Sequence, residues 1–346
     1  MLSIKLSRIS TVGIAFSVVI VLPGLVSARF SPDFHLGLVG LGAGLIFPLS
    51  MYITFTGSLK SGRPRRGLEA LLPIMAVALA SSSVIAYLAG GPFRLLASSS
   101  LIALLGHTLM QVRGWRRGEP RLAILYPPLA GLASSLCDCS TVEWMLVLAL
   151  FFAGAMVIVV SLFTVSRNYG VKPSRIFVWT PLALNAAGLA ALHLGGPWTL
   201  LGVASMILYF AVLGVYKAPQ VLARGLSIGG PGGGALAYTS ASHLASLAPT
   251  LLALYPGLDL LSRLHLIYIG FIGVHIFLHA PLMLPQILRI KLSKTYTPLP
   301  TVLLAAAALA RPWYGELSYL LVLASLAVLL AQFRPQGFLG PHRPRG

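Results

Sequence analysis

Long uncharged apolar stretches recur along the whole chain, and they constrain its fold more than any other feature. A transmembrane helix needs about 20 mostly apolar residues. Twelve stretches approach that requirement, at residues 10–28, 35–57, 68–89, 93–112, 121–136, 141–166, 176–194, 198–216, 236–255, 264–288, 297–311 and 316–333. Their apolar residues do not alternate with polar ones, so helices are expected rather than membrane-spanning strands. The sequence predicts an all-α fold, a polytopic membrane bundle of about 12 transmembrane helices.

The scarcity of charge supports a membrane protein. Only 9% of the 346 residues are charged, whereas soluble globular chains carry about 25%, and this difference excludes a soluble enzyme. The formal net charge is +18. In a membrane protein such an excess is expected on loops that face anionic lipid. The lipid bilayer of the cell membrane is therefore the predicted partner, and nucleic acid is not.

The basic residues also predict the orientation of the chain. If the N-terminus is cytoplasmic, 21 of the 25 Lys and Arg residues fall in inner segments, and the outer segments hold only Arg29, Arg94, Arg263 and Arg311. The positive-inside rule then places both termini in the cytoplasm. We expect residues 1–28 to be a retained first helix, although a cleaved signal peptide with a small-residue cleavage site is the alternative.

The whole chain, 1–346, is predicted to be a single integral membrane domain. Its glycine-rich stretch from Gly225 to Gly234 (GLSIGGPGGG) lacks the Lys-Ser/Thr that a phosphate-binding loop requires. We interpret residues 225–235 as a flexible inner loop. This loop would join an eight-helix part (1–224) to a four-helix part (236–346).

Histidine is the ionisable residue that the predicted spans contain. No Asp or Glu lies in the middle of a span, which disfavours a carboxylate-coupled transporter, whereas seven of the eight histidines lie in spans or at their ends. The topology predicts an outer and an inner layer of histidines, and imidazole is the commonest metal ligand. Interfacial anchoring, helix capping and hydrogen bonds between helices are the alternative roles. The candidate metal ligands are His275, His279, His243, His107 and His193.

Two of the histidine segments match each other. The pattern H-L-x-x-[V/I]-G-x5-I-F begins at His35 and again at His265, 230 residues later. Two imidazoles from facing helices can approach one iron from opposite sides of a haem. Gly40 and Gly270, five residues after each histidine, would let a flat ring or a neighbouring helix approach the backbone.

The segment from His265 to Pro285 (HLIYIGFIGVHIFLHAPLMLP) resembles helices of the NnrS family, which is itself similar to subunit I of haem-copper oxidases. The resemblance implies a twelve-helix bundle that binds haem and copper. It makes His35 and His265 the axial haem ligands, and it assigns a second metal site to His275 or His279. The span 141–166 contains no histidine, whereas the oxidase copper site takes one from that span, so dioxygen reduction with proton pumping is not expected.

The leading hypothesis is a membrane haem protein, with or without copper, in electron transfer or in the handling of a small gas such as nitric oxide. A redox partner at the membrane is expected, and whether the protein is an enzyme stays open. One alternative is a transporter or permease for a metal or a neutral solute, without bound haem. Another is a non-catalytic membrane subunit whose histidines only pack helices together.

A Cys-Asp-Cys motif lies in a predicted outer loop, at residues 137–139. Two thiolates with a carboxylate between them can bind Cu(I) or another soft metal. A pair of exposed thiols or a local disulfide is the alternative.

Overall fold

The computed structural model describes residues 3–4, 6–59, 65–113, 115, 119–228, 230–288, 290–292 and 297–335. The described part is helical apart from two short antiparallel strand pairs, β1 (Ser3–Ile4) with β2 (Arg65–Arg66) and β3 (Ile290–Leu292) with β4 (Phe333–Pro335). The helices are α1 (Leu6–Ser27), α2 (Pro32–Ser58), α3 (Leu68–Leu88), α4 (Phe93–Val112), α5 (Tyr126–Ser135), α6 (Thr141–Thr164), α7 (Arg175–His193), α8 (Trp198–Leu213), α9 (Ala218–Ile228), α10 (Gly230–Leu252), α11 (260–288), α12 (Leu299–Ala310) and α13 (Gly315–Ala331).

Each predicted apolar stretch lies on a helix. Seven helices among the described residues are long and apolar enough to cross a membrane, namely α1, α2, α3, α4, α6, α7 and α11. The number becomes eight if α8 and the bent continuation Val215–Ile228, which turns by 55°, form one span. Helices α12 and α13 are apolar but shorter. The prediction of a helical bundle with several apolar helices of membrane-spanning length is confirmed, while the count of twelve and the cytoplasmic position of both termini stay predictions.

Helix α6 forms the centre of the bundle. Its side chains from Trp144 to Val160 are buried in an unbroken run, as expected for a helix that is apolar on every side. The peripheral helices instead present apolar side chains outward: Val19 of α1, Ile85 of α3 and Ile176 of α7 are 66%, 63% and 76% exposed. Exposed apolar surface of this kind is stable against lipid rather than water.

Contacts between connecting segments join partners that the charge pattern assigns to the same face. The strand pair β1–β2 joins two predicted inner segments, and β3–β4 joins two others. At the predicted outer face, Arg29 forms an ion pair with Glu316, and the Arg94 guanidinium donates a hydrogen bond to the Cys139 carbonyl at 2.7 Å. Residues 336–346, which include the predicted cytoplasmic C-terminus, lie outside the described residues.

The prediction of a flexible loop over residues 225–235 is wrong for the residues that the structure describes. Gly225 lies inside α9, and the glycines from residue 230 onward begin α10, while residue 229 lies outside the described residues. The reason is close packing: a Cβ atom on Gly225 would lie 2.7 Å from the backbone nitrogen of Ala237. Glycine here permits two helices to approach each other rather than supplying flexibility.

Candidate cofactor site

The two matching histidine segments adopt the same local structure. Helix α2 begins with a short α-helical turn, Pro32–His35, and continues as a π-helix over Leu36–Ile46. Helix α11 repeats this order, with α-helix over Leu260–His265 and π-helix over Leu266–Gly273. In both helices the histidine is the last residue before the π-helical segment. Such segments often mark functional sites, so the repeat in sequence corresponds to a repeat in backbone geometry.

Capping side chains fix where the two helices start. The Ser31 hydroxyl accepts a hydrogen bond from the Phe34 backbone nitrogen at 3.4 Å. At the start of α11, the Asp259 carboxylate accepts one from the Ser262 backbone nitrogen at 2.8 Å and another from the Ser262 hydroxyl at 2.6 Å. These bonds hold the pKa of Asp259 below its usual range, since they stabilise its charged form. Each cap lies within two turns of the histidine that follows.

The rings of His35 and His265 lie opposite each other. Their centres are 6.3 Å apart and their planes are within 8° of parallel. The Nδ1 atom of His35 lies 2.9 Å from the Gly24 carbonyl oxygen, and Nδ1 of His265 lies 2.8 Å from the Leu261 carbonyl oxygen. A carbonyl oxygen only accepts, so both Nδ1 atoms carry the proton and both Nε2 atoms keep a free lone pair. Neither Nε2 atom has a hydrogen-bond partner among the described residues.

A cavity of about 510 Å³ adjoins the two rings. It is enclosed by α1, α2, α6, α11, α12 and α13, and its walls are almost entirely apolar. Ligand sites have volumes of about 300–1,000 Å³ with mostly apolar walls and a few placed polar groups. The cavity extends along α2 from Pro32 to Phe47, a distance of roughly 20 Å at helical rise. It is therefore large and long enough for an extended, mainly apolar cofactor.

Two charged residues line this cavity. Arg311, directly after the end of α12, and Asp33, in the first turn of α2, both belong to its wall. Among the described residues, no carboxylate lies at salt-bridge distance from the Arg311 guanidinium. The sequence identified Arg311 only as an outer loop charge and gave no sign of its place beside the histidines.

Tyr268 joins the helices that carry the site. Its hydroxyl lies 3.3 Å from the Gly40 carbonyl oxygen of α2 and 3.3 Å from the Met145 carbonyl oxygen of α6. The ring fits because a neighbouring residue of α2 lacks a side chain: a Cβ atom on Gly44 would lie 2.1 Å from the Tyr268 hydroxyl. The tyrosine thereby holds α11 at a fixed distance from α2. No sequence signal distinguished it from an ordinary buried aromatic residue.

The predicted roles of Gly40 and Gly270 differ in the structure. Gly40 lines the cavity, although a Cβ atom there would also approach the Met145 sulfur at 2.9 Å. A Cβ atom on Gly270 would instead meet the Pro249 ring at 2.5 Å. Gly40 therefore leaves room at the cavity and beside α6, whereas Gly270 admits a neighbouring helix.

Among the inner histidines, the structure brings His243 of α10 and His275 of α11 together, with ring centres 5.4 Å apart. The Tyr209 hydroxyl lies between them, 3.3 Å from His243 Nε2 and 3.2 Å from His275 Nε2. Tyr169 adds a hydroxyl 2.8 Å from His243 Nδ1. Burial raises the pKa of the Tyr169 hydroxyl, so that hydroxyl stays protonated.

The directions of the His275 bonds follow from one carbonyl, and those proposed for His243, which also has a backbone hydrogen bond with Thr239, are built on them. His275 Nδ1 lies 2.7 Å from the Phe271 carbonyl oxygen and must donate to it, so His275 Nε2 accepts from the Tyr209 hydroxyl. The Tyr209 oxygen then accepts from His243 Nε2, and His243 Nδ1 accepts from the Tyr169 hydroxyl. All four nitrogens of the two rings are engaged within the protein, so neither ring offers a free lone pair.

Of the remaining candidate ligands, His279 lies one turn after His275 on α11 and lines a small cavity together with it, whereas His107 and His193 have partners on other helices. His279 Nε2 lies 3.1 Å from the Ser161 hydroxyl, and His107 Nε2 lies 3.1 Å from the Thr56 hydroxyl. His193, at the end of α7, has its Nε2 atom 3.3 Å from the Ala133 carbonyl oxygen. Over the described ranges, no group of three or more His, Cys, Asp or Glu side chains is placed to hold a metal ion. Their role as metal ligands stays a prediction.

The Cys-Asp-Cys motif forms a disulfide between Cys137 and Cys139. Of the three readings of this motif, the structure therefore has the local disulfide, and both sulfur atoms are occupied by each other rather than by a metal. Comparison of the chain with models of protein families, with curated proteins and with solved structures finds no match.

Proposed function

We propose that this protein binds haem between His35 and His265 and transfers electrons within the membrane. The observation that carries the proposal is the pair of opposed imidazoles with free Nε2 atoms. A metal–imidazole bond measures about 2.0 Å. The ring centres lie 6.3 Å apart with nearly parallel planes, a separation compatible with one metal ion held between the two rings.

The hydrogen bonds around His35 and His265 suit these two histidines to binding a metal ion. Histidines that bind a metal usually donate their second nitrogen to a carbonyl or carboxylate, which fixes the tautomer and the ring orientation. The Gly24 and Leu261 carbonyl oxygens have that arrangement here. Tyr268 adds a link between the backbones of α11, α2 and α6 beside the cavity.

The cavity supports an amphipathic cofactor rather than a bare ion. Its walls are apolar along most of its length, and Arg311 contributes a cation to them. Haem has a flat apolar ring with acidic groups at one edge, and arginine recognises carboxylates by paired hydrogen bonds. We assign Arg311 to hold these acidic groups.

Ligation by two protein side chains favours electron transfer over the binding of a gas. When bound, haem iron supplies a one-electron redox couple, whose potential depends on the axial ligands and on burial. His35 and His265 would both hold the iron, so nitric oxide would have to displace one of them in order to bind. The inner histidines, engaged in hydrogen bonds, are not needed for this function, and copper at that layer stays a prediction.

We also propose the finer topology that the charges predict: twelve spans, both termini in the cytoplasm and the histidine pair near the outer boundary of the cell membrane. The contacts between segments support it, because inner segments pair with inner ones through β1–β2 and β3–β4. Arg29 and Glu316 pair at the opposite face. On this topology a redox partner would approach from the outer side.

The test is the haem content of the purified protein. We expect a Soret band and about one haem per chain by the pyridine haemochrome assay. His35→Ala and His265→Ala should each lose the band, while His193→Ala, the matched control at the end of α7, should keep it. A colourless protein with stoichiometric metal would indicate the transporter alternative, and a colourless, metal-free protein would indicate a packing role for the histidines. Either result would overturn the proposal.

A further inference from the structure

We propose that Cys137 and Cys139 form a redox-active site at the outer end of the bundle that exchanges electrons with dithiols. This proposal does not rest on haem binding. The disulfide joins two cysteines separated by one residue, so it closes almost no loop. A bond of this kind contributes little by restricting the unfolded chain, because that contribution grows with loop length. The disulfide is therefore expected to contribute little to the stability of the folded protein.

The two sulfur atoms differ in accessibility. Cys137 is buried, with 8% of its surface exposed, whereas Cys139 is half-buried and precedes an exposed serine. Thiol–disulfide exchange depends on which sulfur an incoming thiolate can reach and on how readily the other leaves. The greater exposure of Cys139 makes it the sulfur that is attacked, and Cys137 is then the sulfur that leaves.

A cation and the start of a helix lie next to the backbone of this pair. The Arg94 guanidinium donates to the Cys139 carbonyl oxygen at 2.7 Å and to the Cys137 carbonyl oxygen at 3.5 Å. It is held in place over the Trp144 ring, 5.6 Å from the ring centre. Cys139 also lies one residue before Ser140, the N-cap of α6. A nearby arginine and a helix N-terminus both lower the free energy of a thiolate.

The exchange is balanced in atoms and electrons. A thiolate of the external dithiol attacks the Cys139 sulfur, the S–S bond breaks, and its electron pair leaves on Cys137 as a thiolate. The second thiolate of the dithiol then attacks its own sulfur in the mixed disulfide, and Cys139 leaves as a thiolate. The dithiol becomes a cyclic disulfide, the protein gains two electrons, and the two thiol protons of the dithiol end on the cysteines.

The test uses the full-length protein in lipid nanodiscs with dithiothreitol as the probe. After reduction for timed intervals, maleimide labelling and mass spectrometry count the free thiols. We expect two labels per chain under native conditions, and diamide should remove them again. Cys137→Ser should leave a Cys139 thiol that reacts with maleimide about tenfold faster than the Cys137 thiol of Cys139→Ser, because accessibility controls the rate.

Two charge variants should act in opposite directions. Arg94→Met should slow reduction by about three- to tenfold, and Asp138→Asn should speed it about twofold, because an exposed negative charge repels the attacking thiolate. Arg29→Met, which changes an outer arginine paired with Glu316, is the matched control and should leave the rate unchanged. Thiols that become reactive only after denaturation would overturn the proposal, and so would equal rates in wild type, Arg94→Met and Asp138→Asn.

Discussion

The two histidine pairs, which we call outer (His35 with His265) and inner (His243 with His275), show that two rings can lie close together without leaving a nitrogen free to bind a ligand. The inner rings of His243 and His275 are closer together, at 5.4 Å, than the outer rings of His35 and His265, at 6.3 Å. The inner rings, however, use every nitrogen in hydrogen bonds to tyrosines and to the backbone. The outer rings each keep one lone pair free beside a large cavity. The difference lies in which polar groups surround each pair, and in our proposal it separates a site for a cofactor from a network that joins helices.

The largest expected difference between the two pairs is in haem retention. His265→Ala removes one of the two free Nε2 atoms and should abolish bound haem, whereas His275→Ala, ten residues later on the same helix, should retain it. Haem per chain after purification measures both. Haem loss in His275→Ala, with retention in His265→Ala, would reverse the comparison and move the site to the inner layer.

The inner pair should instead contribute to stability. Tyr209→Phe removes the hydroxyl that donates to His275 and accepts from His243, and leaving buried polar atoms without partners costs about 1–3 kcal/mol. We expect a lower thermal or denaturant midpoint with an unchanged Soret band. Tyr216→Phe, at a tyrosine that is 73% exposed, is the control and should change neither. A Tyr209→Phe protein as stable as wild type would show that the network does not hold the helices together.

Substitution of Arg311 tests whether this residue binds the acidic groups of haem in the cavity beside His35 and His265. Arg311→Gln should release haem about tenfold more readily, a change of about 1.4 kcal/mol, which is the scale of one charge-assisted hydrogen bond. Arg29→Gln, whose arginine is paired with Glu316, should have no such effect. Transfer of haem to an excess of apomyoglobin measures the rate of haem release from each variant and from wild type. Equal rates in Arg311→Gln and wild type would place the acidic groups elsewhere.

The smallest expected effect concerns the start of α11. Asp259→Ala removes the N-cap six residues before His265, and such a loss costs about 1 kcal/mol. Because hydrogen bonds from Ser262 lower the pKa of Asp259 in the folded protein, its contribution is fully present above the ordinary carboxyl pKa of about 3.9. The contribution is lost as the pH falls through the lowered value. Unfolding midpoints of the two proteins should differ at pH 6 and converge in strong acid, and a constant difference would contradict this role of the carboxylate.

The helices could be predicted from the sequence because bilayer thickness sets the length of an apolar run, and the runs from 35–57 and 264–288 coincide with α2 and α11. The pairing of His35 with His265 could also be predicted, since a repeated segment indicates equivalent positions. The orientations of the two rings could not be predicted, because they depend on carbonyl groups such as Gly24 O. The sequence does not indicate which backbone carbonyl of another helix will accept a hydrogen bond.

Two other features escaped prediction for physical reasons. Glycine favours loops by its flexibility and tight helix contacts by its size, and only the approach of Gly225 to Ala237 decides between these roles. In the sequence, Tyr209 and Tyr268 cannot be distinguished from other aromatic residues in apolar spans. Their importance depends on which groups their hydroxyls contact in the folded protein. Partners that lie far apart in the chain cannot be identified from local spacing.

The most direct test of the account is the optical spectrum of the reduced protein before and after addition of carbon monoxide. If His35 and His265 both hold the iron, the reduced spectrum should be that of low-spin haem, and carbon monoxide should leave it unchanged. A reduced haem that binds carbon monoxide readily would contradict ligation by this pair. A preparation free of haem would contradict the proposed function altogether.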